Sequence, residues 1–298
     1  MKHLYIIGNG FDLFTGLKTK YADFRWWLEN NYPFIYEAMQ VAYNMDGEWW
    51  NDFEVMLGQL DIKAYVGKFT PPEKSMEEIL EEIEKKKVSS DKYNLSPNFS
   101  HNTPCARRLR GLLDVLQYCF EKWVENCQKV IVNAQYIHLE RDDSYFINFN
   151  YTDVLQQLYK IPDGRIWHIH GRASKYEHLI FGHNNPLPKR YSGDEDQTRS
   201  ELWRYYKNPY EHIVKNEALI AILKDVEYVH IYGFSFSPVD EDYIDWIYRY
   251  TPGNARWEIS WFLDTDKQRI DKFVLEHRDV KERLALINLE NIKISSER

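Results

Sequence analysis

Cysteine is scarce in this chain. There are three in 298 residues (Cys105, Cys119 and Cys127), and none belongs to a Cys-x-x-Cys pair. That argues against a disulfide framework and against a cysteine zinc site, and it fits a reducing compartment. Basic runs are also lacking and the net charge is −8, so an extended nucleic-acid footprint is disfavoured. No apolar run approaches the ~20 residues that a membrane helix needs. The first strand opens almost at Met1, which leaves no room for a signal peptide. The expectation is a cytoplasmic protein with no membrane contact and no metal.

What the chain has is a core in surplus. Hydrophobic residues make up 44% and aromatics 16%, with 10 Trp and 22 Tyr, enough for one large α/β domain carrying a helical insertion. The organising stretch is the N-terminus. Lys2 to Ile7 is apolar and β-prone and breaks into Gly8-Asn9-Gly10, followed by Phe11-Asp12-Leu13. A buried strand that runs through glycines into a helix is how nucleotide-binding α/β domains begin. Glycines there let the backbone approach a pyrophosphate, and the N–H groups opening the helix face the anion. The same pattern also makes an ordinary tight turn. The third glycine of the dinucleotide fingerprint is missing, because Leu13 occupies its place.

Along the chain, Thr19 is placed to cap a helix from Lys20 to about Asn31, and Pro33 interrupts it. Helical spacing predicts further helices over 35–43, 49–62, 107–132 and 210–223, whose aromatics read first as core. Residues 68–104 change character: Pro71-Pro72, a charged helix from Met76 to Lys87, then a polar loop. This tract reads as a solvated face, with a partner-binding arm as the other reading. Strands are predicted at 144–149, 165–169, 178–181, 226–232, 256–263 and 285–294, and Ser237-Pro-Val-Asp240 as a capping box. Strands alternating with helices predict a Rossmann-like, mostly parallel sheet of about six strands with helices on both faces. Residues 1–298 then form a single domain in which 20–135 is a helical insertion or cap.

Four strands end in polar or glycine-rich clusters: Gly8-Asn9-Gly10, Asn148/Asn150, His170-Gly171 and Gly233-x-Ser235. Each alone is an unremarkable turn. A parallel sheet, however, brings its carboxyl ends to one edge, where ligands bind. With Gly16–Phe24, Trp50-Asn51-Asp52-Phe53-Glu54, Phe149-Asn150-Tyr151-Thr152, His168-Ile169-His170-Gly171, Phe181-Gly182-His183 and Tyr232-Gly233-Phe234-Ser235, these stretches resemble the AbiH-type bacterial abortive-infection proteins from residue 4 to about 250.

That family is in turn similar, more remotely, to the sirtuin-like NAD-binding fold. The resemblance implies catalytic roles for His170 and Asn150. It also implies a nucleotide-binding set of Gly8, Asn9, Gly10, Phe11, Asp12, Thr19, Tyr151, Gly171, His183, Gly233, Phe234 and Ser235. Three departures stand out. Thr152 occupies the place of an acidic residue two after Asn150, with Asp153 one further on. The Asp-Phe-Arg segment is absent, and so is the four-cysteine zinc module, which argues against protein deacylation.

The implied activity is an NAD(P) glycohydrolase-type effector of antiphage abortive infection, with NAD or NADP as substrate. Asn150 would fix a water or the ribose and His170 would take a proton. Asp12, Glu54 and His183 are further acid–base candidates, for each of which capping or a plain hydrogen bond is an equal reading. Two alternatives stay open: a module that binds NAD or ADP-ribose without cleaving it, and an interaction scaffold that engages a phage or host protein. A homo-oligomer is compatible with all three.

Overall fold

The structure, a computed structural model, describes residues 1–45, 49–67, 103–130, 137–175, 177–186, 194–214 and 217–289. In chain order the regular elements are β1 (His3–Ile7), α1 (Asn9–Phe14), α2 (Tyr21–Asn31), α3 (Pro33–Tyr43), α4 (Phe53–Leu57), α5 (Ile62–Gly67), α6 (Pro104–Gln128), β2 (Ser144–Asn148), α7 (Val154–Gln157) and β3 (Ile166–His168). They continue with α8 (Asp194–Trp203), α9 (Pro209–Val214), α10 (Glu217–Leu223), β4 (Tyr228–Tyr232), α11 (Glu241–Tyr250), β5 (Arg256–Trp261), α12 (Asp264–Glu276) and β6 (Leu284–Asn288). The charged tract at 68–102 lies outside the described residues.

The chain groups into two compact units. The first comprises Met1–Lys20, Val124–Glu177 and Asn208–Arg298; the second comprises Tyr21–Trp123 and His178–Lys207. The first unit is the α/β unit. Its six strands run all parallel in the order β3-β2-β1-β4-β5-β6, with His3 opposite Ser144 on one side and Tyr228 on the other. This is the doubly wound order, and its topological switch point falls between β1 and β4. Alternation divides β1 between two cores. Leu4 and Ile6 pack with Val229, Ile231, Trp257 and Ile259 under Leu219 and Leu223 of α10, Tyr243 and Ile247 of α11, and Ile270 and Phe273 of α12. Tyr5 and Ile7 pack on the opposite face with Phe146, Phe11 of α1, and Val154 and Leu155 of α7. Burial on both faces is why β1 reads as an unbroken apolar run.

The second unit is helical around an aromatic core. The Phe24 ring lies 5.9 Å from Trp50, 5.9 Å from Phe53, 5.3 Å from Phe120 and 5.2 Å from Trp123. Its interior also holds charge. Lys207 Nζ and Glu54 Oε2 form a buried pair at 2.9 Å, and Glu54 Oε1 accepts from the Gly182 amide at 3.3 Å. Arg204 holds Asp114 at 3.1 Å; burial still raises the Asp114 carboxyl to about 6, against the pull of Arg204.

Several sequence expectations change. Residues 178–181 form no strand: Leu179 and Phe181 are buried, but apart from a bridge between His183 and Tyr206 this stretch pairs with no ladder. The helix expected over 49–62 is a 3₁₀ turn at Trp49–Asp52 followed by α4, which ends at Gly58. A Cβ there would lie 2.5 Å from that of His183, so the break reflects a close approach. Pro33 starts α3 rather than merely ending α2, as the first helical position allows. Of the 210–223 stretch, the described residues are helical over Pro209–Val214 and Glu217–Leu223 (α9 and α10). Ser237-Pro-Val-Asp240 is a turn closed by Asp240 N–H to the Ser237 carbonyl at 2.9 Å, and α11 begins after it.

Candidate functional site

The carboxyl ends of β3, β2, β1 and β4 carry the candidate residues of the first unit. At the switch point the loops after β1 and β4 touch backbone to backbone. Gly8 N–H donates to the Tyr232 carbonyl at 3.0 Å, and Gly10 N–H to that of Gly233 at 2.7 Å. Two of the three amides expected to face a pyrophosphate are therefore engaged within the protein. The glycines are needed for this junction itself. A Cβ on Gly8 would lie 2.5 Å from the Phe234 Cα, and one on Gly10 2.8 Å from the Gly233 Cα. Gly233 has φ +63, and its Cβ would sit 2.0 Å from the Phe11 nitrogen. Phe236, three residues on, holds a left-handed φ of 50, uncommon for a bulky side chain. Its ring is locked against Phe234 and Phe273.

A polar knot joins β1 to β2. Asn150, 5% exposed, donates through Nδ2 to the Gly8 carbonyl at 3.0 Å and to Asp12 Oδ1 at 2.8 Å. Thr152 donates its hydroxyl to Asp12 Oδ2 at 2.6 Å. The buried Asn148 accepts from the Asn150 amide at 3.1 Å and so sets the turn at the end of β2. Asp12 is 1% exposed, and among the described residues no cation pairs with it. Burial pushes its carboxyl up to about 7, opposed by the hydrogen bonds from Thr152 and Asn150. Behind the knot, His168 Nδ1 meets the Asn150 carbonyl at 3.2 Å and its Nε2 meets Gln156 at 2.9 Å; burial lowers this imidazole's pKa. Arg172 ties Asp153 to Asp163.

His170 follows β3 and is 3% exposed. Its ring sits edge-on to Phe149 at 5.5 Å and Tyr243 at 5.9 Å, and tilted to Tyr151 at 6.0 Å. Its Nε2 faces Asp240 Oδ1 at 3.4 Å. Gly171 beyond it has φ 83.

The other predicted residues divide by environment. Asn9 is exposed and donates to the Thr19 carbonyl at 2.8 Å. The Thr19 hydroxyl makes no hydrogen bond among the described residues, so it is not the helix cap expected of it. Phe11 and Phe234 are buried core rings, Tyr151 is partly exposed and Ser235 is exposed. His183 belongs to the second unit, where its Nε2 meets the Leu202 carbonyl at 3.1 Å and burial lowers its pKa. Glu54 belongs to that unit too, held by Lys207.

Sequence reasoning missed the contact of Asp12 with Asn150 and Thr152, whose partners lie 138 and 140 residues apart. It also missed Asp240, which it took as part of a helix cap; the signal was an acidic residue on the loop that follows a strand's carboxyl end.

No helix among the described residues is long and apolar enough to cross a membrane. Comparison with curated proteins and with solved structures gave no match. The model of one family, described as Bacteriophage abortive infection AbiH, matches residues 4–261 and so takes in the switch-point loops, the Asp12–Asn150–Thr152 knot and His170. By that match, across most of its length, the chain belongs to the AbiH family of bacteriophage abortive infection proteins.

Proposed function

We propose that this AbiH protein is an NAD(P) glycohydrolase-type effector that cleaves the nicotinamide–ribose bond during abortive infection. The observation that carries the reading is the meeting of Gly8, Gly10, Asn150 and Gly233 through direct hydrogen bonds and backbone contact at the switch point of a doubly wound sheet. Ligands of such sheets bind outside the strands' carboxyl ends at that point. The donor set fits a nucleotide in part. The amides of Gly8 and Gly10 are occupied, which leaves the Asn9 amide and the exposed side chain of Ser235, on the two loops that meet there, to contact a pyrophosphate. Loss of nicotinamide passes through an oxocarbenium-like state at the ribose. Asn150 would hold the ribose or the attacking water, and His170, oriented by Asp240, would accept the proton. The buried rings of Phe149 and Tyr243 would keep bulk water from that histidine.

A second reading, a sensor that binds NAD or ADP-ribose without cleavage, is favoured by the near-complete enclosure of His170. One experiment separates the two. Purified full-length protein is incubated with NAD and with NADP, and nicotinamide is followed by chromatography beside a thermal-shift titration with ADP-ribose. Released nicotinamide supports the hydrolase. A thermal shift without release supports the sensor. Neither signal overturns both and leaves the scaffold reading, in which a phage or host protein is the partner.

A further inference from the structure

A carboxamide has two N–H donors and one acceptor oxygen. In Asn150 both donors are committed inward, to the Gly8 carbonyl and to Asp12 Oδ1. The Gly8 carbonyl can only accept, so the nitrogen must be the atom that faces it, whatever the protonation state of Asp12. The Asn150 oxygen accepts from none of the described residues and is not among the atoms sealed in the interior. The remaining hydrogen-bonding capacity of Asn150 is therefore that of an acceptor alone.

Asp12 takes the second carboxamide proton and so holds the amide, already turned by the Gly8 carbonyl, against rotation. A buried carboxyl with no cation beside it is costly compared with a neutral side chain. This one is held by Thr152, two residues beyond Asn150, while the backbone carbonyl of Asp12 accepts from the Thr15 hydroxyl at 2.7 Å. Resting on the nucleotide-cleaving reading above, we propose that Asp12 is a positioning residue that keeps the Asn150 carboxamide nitrogen inward and oxygen outward, so that the ligand group read there must be a hydrogen-bond donor, a ribose hydroxyl or a water. A phosphate oxygen or a nicotinamide carbonyl is excluded at that point. Thr152 makes the arrangement tolerant of a neutral residue. If Asp12 becomes Asn, the new carboxamide oxygen can face Asn150 while its NH₂ faces a Thr152 hydroxyl turned to accept.

The test measures solvent exchange of the Asn150 side-chain NH₂ protons by NMR in the full chain, beside nicotinamide release. In the wild type both protons are expected to exchange at least about tenfold more slowly than those of an exposed asparagine, because opening must break two bonds. Asp12→Ala is expected to lose that protection and to lower kcat as Asn150→Ala does, with KM little changed. Asp12→Asn is expected to restore both. Fast exchange in the wild type, which needs no variant, overturns the proposal. So does a folded Asp12→Ala with full turnover where Asn150→Ala has lost it, or an Asp12→Asn no better than Asp12→Ala. A wild type that releases no nicotinamide refutes the hydrolase reading instead, and the exchange measurement still decides the role of Asp12.

Discussion

The hydroxyl of Thr152 donates to Asp12 Oδ2 at 2.6 Å. The carboxyl comes from α1, the helix that follows the first strand, and the hydroxyl from the loop after β2.

The first concerns pH and stability. The Asp12 carboxyl titrates at about 7 in the folded chain, against an ordinary value of 3.8. Between those values the folded state binds a proton that the unfolded state has released, so this group's contribution to stability falls as pH rises from about 4 to about 7. Below that window both states are protonated; above it both are ionised and the contribution is flat. Removing the carboxyl should remove this slope. The melting temperature of wild type minus that of Asp12→Asn is expected to decrease from pH 5 to pH 8. A flat difference would mean that the carboxyl is not perturbed.

The second concerns the glycine junction. Gly233→Ala places a Cβ 2.0 Å from the Phe11 nitrogen at a φ of +63. Gly10→Val adds bulk where even a Cβ would lie 2.8 Å from the Gly233 Cα. Both loops would have to separate, at a cost of about 2–4 kcal/mol. Both variants are therefore expected to shift the denaturant midpoint downward, whether or not nucleotide is present. An unshifted midpoint with lost NAD binding would return these glycines to a purely ligand-contacting role.

Why so much of the sheet could be read from sequence, and so little of the site's wiring, has a physical basis. Parallel strands packed into a sheet core are apolar runs, so all six strands were legible, together with the polar residues at their carboxyl ends. The 178–181 stretch misleads because Leu179 and Phe181 are buried by packing, Phe181 against Phe120 at 4.7 Å, rather than by a ladder. Gly58 hides its helix break because the reason is His183, far along the chain. The Asp12–Asn150 bond spans 138 residues. Sequence periodicity reports an element's own burial and cannot report which distant side chain completes its hydrogen bonds.

The third prediction concerns the second unit. Lys207 and Glu54 form a buried pair, and Glu54 also accepts from Gly182. Truncating one partner leaves the other charge buried, which typically costs 3–5 kcal/mol. Lys207→Met is therefore expected to lower the urea midpoint strongly, and Lys207→Met with Glu54→Gln to recover much of the loss. If the double variant is no more stable than the single one, the pair's charge is not what makes Lys207 necessary.

The last prediction separates two roles of Asp240. The residue stands at the N-cap of α11, where an aspartate ordinarily bonds the first free amides and its loss costs about 1 kcal/mol. Here its side chain makes no capping hydrogen bond. Its Oδ1 instead faces His170 Nε2 at 3.4 Å, in a site where His170 is almost fully enclosed. A carboxylate facing the ring would offset the positive charge that proton transfer to it creates. Asp240→Asn keeps size and shape but removes the charge. It is expected to lower nicotinamide release about 10²–10⁴-fold, the usual worth of general acid–base help. ADP-ribose binding and melting temperature should stay near wild type, and His170→Ala should cost no more when combined with it. A capping role would give the reverse: a lower melting temperature with turnover per folded molecule intact. That result would detach Asp240 from His170, and with it the assignment of His170 as the base.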